Sequence, residues 1–191
     1  MRIIGGTLKG LRLNPPHNLP VRPTTDMAKE ALFNILTNRF HFEHLKVLDL
    51  FSGTGNISFE FASRGTQVVS VDKDFGCVQY LKKTALTYHL NNIKTYKSDV
   101  FKFLKNDSDS YDIIFADAPY DLPGLVTIPA IVFEKGLLKK EGLLIVEHPS
   151  TIKLDQYTQF TEQRKYGYSS FSFFENKDEL MTMTNNLLPN T

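Results

Sequence analysis

The chain has 191 residues, 41% hydrophobic and 23% charged, with a formal net charge of +1. That length suits one domain with a real core, and near-neutrality excludes a strongly basic protein, so any nucleic-acid surface must be local. Cys77 is the only cysteine, which excludes an internal disulfide framework and fits a reducing compartment. With no apolar signal core and no run approaching ~20 apolar residues, a soluble, cytoplasmic protein without membrane contact is expected.

Residues 1–25 contain Arg2, Lys9, Arg12 and Arg22 but no acidic residue. Arg2-Ile3-Ile4-Gly5-Gly6 and Leu11-Arg12-Leu13, with Gly10 between, read as a short hairpin. Prolines at 15, 16, 20 and 23 then break regular structure. Two readings are open for this arm: a solvated extension, or a local phosphate-contacting surface. From Met27 the period changes. Ala28, Ala31, Leu32, Ile35 and Leu36 fall on one helical face, with Asp26 as the expected N-cap. His41 and His44 follow without a Cys or carboxylate cluster, so no metal site is expected.

Lys46 to Phe51 reads as the first strand and Ile57 to Arg64 as a helix closed by Gly65. Between them runs Asp49-Leu50-Phe51-Ser52-Gly53-Thr54-Gly55-Asn56. Glycines let backbone approach a ligand closely, and a helix start offers unpaired N–H groups. The acidic residue ahead of them suits a cationic ligand. Ser58 stands where the dinucleotide fingerprint wants Gly or Ala, which argues against a pyrophosphate.

A second strand, 67–71, runs into Asp72, an acidic tip that can accept both hydroxyls of a ribose or cap the next helix. Asp74 to Leu90 reads as a long helix, with Cys77 as a small buried hydrophobe on or near its apolar stripe. Ile93 to Lys97 is a third strand. Asp99 after it addresses an adenine edge or opens the helix Val100–Leu104. Tyr111 to Ala116 is a buried strand ending in Asp117-Ala118-Pro119-Tyr120. Thr127 and Pro129 suit the start of a helix to Lys135. Gly142 to Val146 is a strand ending at Glu147, and residues 160–166 and 168–174 form an antiparallel hairpin about Gly167.

Five strand–helix alternations imply an α/β fold, a doubly wound, mostly parallel sheet with right-handed crossovers. Ligands in such sheets bind beyond the carboxyl ends of the strands, which puts Asp49, Asp72, Asp99, Asp117 and Glu147 along one rim. Residues 1–175 are expected to form one domain, with 1–25 an extension and 176–191 a loosely held tail.

An exocyclic amine is a poor nucleophile because its lone pair is delocalised into the adjacent π-system. Two acceptors, each taking one N–H, draw the nitrogen towards tetrahedral geometry. The Asp117 carboxylate and the Ala118 carbonyl are in place to be those acceptors. Pro119 restrains Ala118 to extended conformations, and Tyr120 offers a ring on which a planar base stacks. The matching donor is a methyl sulfonium, a cation favoured by rim carboxylates. The plainer alternative for this stretch is a turn after a buried strand.

These residues resemble the class I S-adenosylmethionine-dependent methyltransferases, and more narrowly the bacterial 16S ribosomal RNA guanine-N2 methyltransferases. The similarity runs through Met1–Gly6, Arg22-Pro23-Thr24-Thr25-Asp26, Glu30–Asn34, Leu48–Gly55, Asp117–Tyr120 and Lys165-Tyr166-Gly167. The N-terminal block is the specific part. The resemblance implies a seven-stranded sheet with a reversed last strand, a C-terminal antiparallel hairpin and an RNA-facing N-terminal extension. It implies S-adenosylmethionine held by Asp49, Phe51, Ser52, Gly53, Thr54, Gly55, Asp72, Lys73, Asp99, Val100 and Asp117, with Asp117, Ala118, Pro119 and Tyr120 catalytic. RNA contacts are implied for Arg2, Lys9, Arg12, Arg22, Thr24 and Thr25, the partner being ribosomal RNA or a small-subunit assembly particle; no metal is implied and a monomer is expected. Ala118 replaces the first proline of the usual Asp-Pro-Pro-Tyr, which keeps the carbonyl and lowers rigidity. Met27 stands where the family commonly has Arg.

Two other enzyme classes and one binding class are opposed by particular residues. DNA adenine-N6 and protein glutamine methyltransferases use a similar motif but commonly carry Asn at the position of Asp117. DNA enzymes usually add a recognition domain for which this chain has no room. A nicotinamide-dependent oxidoreductase is opposed by Ser58, and a non-catalytic RNA-binding module would need neither Asp72 nor the Asp117 stretch.

Overall fold

A computed structural model describes residues 1–20 and 25–176. Arg22 and Thr24, and the tail from 177 onward, lie outside the described residues. The elements are α1 (Asp26–Thr37), β1 (Lys46–Leu50), α2 (Asn56–Ser63), β2 (Gln67–Asp72), α3 (Phe75–Thr87), β3 (Ile93–Lys97), α4 (Val100–Asn106), β4 (Tyr111–Asp117), α5 (Ile128–Glu134), β5 (Leu138–Pro149), β6 (Phe160–Tyr166) and β7 (Ser169–Glu175). One seven-stranded sheet has the order β3-β2-β1-β4-β5-β7-β6. β1 to β5 are parallel to their sheet neighbours among themselves, and β7 runs antiparallel to both β5 and β6. The expected α/β class and reversed final strand are both present.

Residues 47–50, 68–71 and 113–116 of β1, β2 and β4 are buried because both faces of the sheet are covered, and all are apolar except Asp49 and Ser70. On one face Phe33, Leu36, Phe59, Phe61 and Leu81 pack with Ile3 and Leu13 of the arm. On the other, Val100, Leu104, Ile128 and Val132 pack against Leu48, Leu50 and Val146. The sheet order reverses between β1 and β4, because the chain moves outward to β3 before returning across β1. That places the switch point at the carboxyl ends of these two strands.

Two expectations need correction, the cap of α1 and the place of Glu147. Thr25, not Asp26, caps α1, its Oγ accepting from Ala28 N at 3.2 Å; Asp26 instead sits in the first turn and pairs with Arg2 at 3.4 Å. The expected N-terminal hairpin is present in short form: Arg2 and Arg12 make an antiparallel bridge, and Ile3 N donates to Leu11 O at 2.9 Å, Gly10 N to Ile3 O at 2.8 Å and Leu13 N to Met1 O at 2.9 Å. Its other backbone donors dock it on α2: Ile4 N and Gly5 N donate to the Glu60 carboxylate, Thr7 N to Ser63 O and Leu8 N to Ser63 Oγ. Gly6 permits this seating, since it has φ +74° and a Cβ there would lie 1.9 Å from Ser63 O. The expected antiparallel hairpin of 160–166 with 168–174 is present as β6 and β7, and Ser170, Phe171, Ser172 and Phe173 are all buried. Ser172 Oγ is satisfied there by His148 Nε2 at 2.7 Å. Finally, β5 runs on past Glu147 to Pro149, so Glu147 is inside the sheet and not on its rim.

Candidate active site

Beyond the carboxyl ends of β1 and β4 lies a cavity of about 870 Å³. Pockets for drug-sized ligands span ~300–1,000 Å³, so this one has room for a nucleoside cofactor beside a planar base. The glycine turn forms its floor. Phe51 has φ +59°, Gly53 +52° and Gly55 +83°, and this run of left-handed residues folds β1 tightly into α2. Gly55 N donates to Ser52 O at 2.8 Å, and Ser52 N donates to Val71 O of β2 at 3.1 Å. Phe51, Ser52, Gly53 and Thr54 line the cavity, while Gly55 caps α2 behind them.

Asp72, at the end of β2, accepts from Gly53 N and from Asp74 N, each at 2.8 Å. The helix cap is a different residue: Asp74 accepts from Cys77 N at 2.8 Å. Asp72 is therefore left to brace the glycine turn and face the cavity, with Lys73 beside it. Asp99 caps α4, as one of its two expected roles has it, accepting from Lys102 N at 2.9 Å, and it lines the cavity next to Val100.

Asp49 differs from the rim picture. It is the fourth residue of a five-residue strand and only 1% exposed. Its carboxylate accepts from Ser58 Oγ, which in turn contacts Ser70 Oγ at 2.7 Å. Burial pushes its pKa up to about 7, opposed by the Ser58 hydrogen bond and reinforced by the charge of Asp72. Asp117 ends β4, partly exposed, and lines the cavity with Ala118, Pro119 and Tyr120. Ala118 is buried in the core beneath.

Several wall residues carry no mark in the sequence. Leu13, Asn14, Pro15, Pro16, His17, Leu19 and Pro20 all face the cavity, so the inner side of the arm closes it over. Leu19 sits so close to the first turn of α3 that a Cβ on Gly76 would meet its Cδ2 at 2.7 Å. Asn56, Ile57, Phe115 and Leu122 complete the wall, with Cys77, whose thiol burial pushes up to about 12. A proline-rich stretch without periodicity gives no signal that it folds back over a ligand site. Among the residues chosen for RNA contact, Lys9 and Arg12 are exposed. Arg2 pairs with Asp26 and with Glu30, and Thr25 is a helix cap.

The donor set suits a cation. Asp72, Asp74, Asp99 and Asp117 face the cavity against Lys73, the single lysine lining it among the described residues, with Asp49 buried behind them. Ser52 Oγ is buried in the wall without a hydrogen-bond partner among the described residues, a group that asks for a polar ligand. Among the described residues no cluster of His, Cys, Asp and Glu could hold a metal ion, and no helix is long and apolar enough to cross a membrane.

A reversed seventh strand, a glycine turn after β1, an acidic β2 tip and an Asp-Ala-Pro-Tyr stretch at β4 define a methyltransferase. A model of the family described as Conserved hypothetical protein 95 matches residues 1–175. The chain is 31% identical over 150 residues to Ribosomal RNA small subunit methyltransferase D of Escherichia coli K12, covering 77% of this chain and 74% of that one. It is 29% identical over 155 residues to the protein of the same name from Buchnera aphidicola, covering 80% and 78%. The solved structure of a hypothetical protein from Thermus thermophilus superposes with a TM-score of 0.77 at 29% identity, covering 92% of this chain and 99% of that one. The chain belongs to this family of ribosomal RNA small subunit methyltransferases, and it is an enzyme.

Proposed function

We propose that this protein transfers a methyl group from S-adenosylmethionine to the exocyclic N2 of a guanine in small-subunit ribosomal RNA. The observation that carries the reading is the shared cavity: the Asp117–Tyr120 stretch and the glycine turn open into the same space. The cofactor supplies a methyl group on a cationic sulfur. Asp72 offers its carboxylate to a ribose, Asp99 and Val100 line the cavity where a base would lie, and Ser52 provides an unused hydroxyl.

At the reacting end the Asp117 carboxylate accepts one N–H of the guanine amine and the Ala118 carbonyl accepts the other, which localises the nitrogen lone pair. Tyr120 stacks against the base, a contact worth ~1–3 kcal/mol. Asp117 then takes the proton released once the nitrogen is methylated. The arm divides its two sides between ligands: residues 13–20 cover the cofactor, and Lys9 and Arg12 face outward towards RNA phosphates.

The test is transfer of labelled methyl from S-adenosylmethionine to ribosomal RNA from small subunits lacking native methylation, followed by mass analysis of the modified nucleotide. N2-methylguanosine is expected. Unlabelled RNA, or label on another atom, would remove the substrate assignment.

A further inference from the structure

Lys29 projects from α1 and is wholly buried. A buried ammonium costs several kcal/mol unless acceptors surround it. Here they come from three places. Nζ donates to the Arg2 carbonyl of the arm and to Asn56 Oδ1 at 2.9 Å, and pairs with the Glu60 carboxylate at 3.3 Å. Glu60 is itself wholly buried, and it also accepts from Ile4 N at 3.0 Å and from Gly5 N at 2.9 Å. Arg64 pairs with Glu60 and lies 4.4 Å from the Phe33 ring centroid. Arm, α1 and α2 thus meet in one buried polar network.

Apolar side chains in place of the whole Lys29–Glu60 pair would fill the same volume without the desolvation cost, and such replacements are often neutral or stabilising. What they would lack is the ability to orient two acceptors. Asn56 opens α2 directly after the glycine turn and lines the cavity, and Arg2 adjoins Met1, which also lines it. An asparagine amide is two-faced, and a cation on Oδ1 selects one orientation.

We propose that Lys29 is a positioning residue for the cofactor: by holding Asn56 Oδ1 and the Arg2 carbonyl it fixes the wall where α2 begins, and S-adenosylmethionine binds tightly only with that wall in place. The inference rests on the cavity being the cofactor site. It concerns affinity and leaves the methyl transfer itself to the β4 tip.

The readout is S-adenosylhomocysteine affinity by calorimetry, alongside thermal melting and the split between kcat and the KM for each substrate. Lys29→Met is expected to weaken S-adenosylhomocysteine about tenfold, the scale of one oriented hydrogen bond, and to raise the cofactor KM similarly. Saturated kcat and the RNA KM should stay near wild type. Because Lys29→Met alone strips Glu60 of a counter-charge, the double variant Lys29→Met/Glu60→Gln removes both charges and keeps an acceptor for Ile4 N and Gly5 N. It should melt above Lys29→Met, although Arg64 loses its carboxylate partner, and still bind weakly. Asn56→Ala should weaken binding to the same degree, with little added by Lys29→Met on top. A double variant that binds as the wild type does, or a lowered melting temperature with unchanged affinity, would overturn the proposal. If both lysine variants fail to fold, Asn56→Ala decides, and unchanged affinity there also overturns it. A wild type that binds no S-adenosylhomocysteine would instead sink the cofactor reading itself.

Discussion

Asp49 and Asp117 sit on neighbouring parallel strands, and their surroundings separate their roles. Asp49 pairs in register with Phe115, two residues short of Asp117, so the second carboxylate stands ~7 Å farther along the strand direction. The inner acid is covered by α2 and held by Ser58; the outer one faces the cavity. Replacing Asp117 by Ala should lower kcat roughly 10²–10⁴-fold, the usual span for a positioned proton acceptor, with S-adenosylhomocysteine affinity near wild type. Unchanged initial rates would take Asp117 out of the reaction. Asp49 makes a different prediction. Its folded pKa of about 7 lies above the unfolded value of 3.8, so between these pH values the folded state binds the extra proton. This group's contribution to stability therefore falls as pH rises from about 4 to about 7 and then levels off. Urea midpoints across that range should slope less in Asp49→Asn than in wild type; an identical slope would show that Asp49 ionises normally.

At the scale of elements, the parallel strands and their helices were readable because a strand covered on both faces must be apolar throughout, as in 113–116 and 143–146. Asp72 and Asp117 were readable too, since each ends such a run. What escaped was carried by distant partners. Glu60 and Lys29 look like ordinary exposed helix residues in the sequence, yet both are wholly buried, because the partners of Glu60 lie 55 and 56 residues away in the arm. No local pattern encodes that. The arm's docking makes Gly6 sensitive: Gly6→Ala forces a Cβ against the Ser63 carbonyl and should cost about 1–3 kcal/mol in urea unfolding. A neutral result would mean that the arm detaches freely. Its outer side is checked separately. Replacing Lys9 and Arg12 by Ala should reduce the slope of log affinity for RNA against log salt by roughly 1.4, about 0.7 per phosphate contact on single strands. An unaltered slope would make these two charges merely solvated.

Across the whole molecule, a cofactor gripped by the β1, β2, β3 and β4 tips and roofed by the arm should stabilise the fold globally. At a hundredfold excess over Kd a ligand adds ~2.7 kcal/mol, and for a chain of this size that corresponds to a rise of about 5–10 °C in Tm. S-adenosylhomocysteine should produce this shift and NADH should not, as differential scanning fluorimetry can record. The order β5-β7-β6 also governs how the chain emerges during synthesis. Because among the described residues β6 pairs only with β7, the outward side of β5 has no strand neighbour there until Ser169–Glu175 has been translated. A nascent protein halted before Ser169 would carry an open, apolar strand border ready to recruit another molecule. The strands that end at the cavity are thus all made before the one that shields their sheet from other chains.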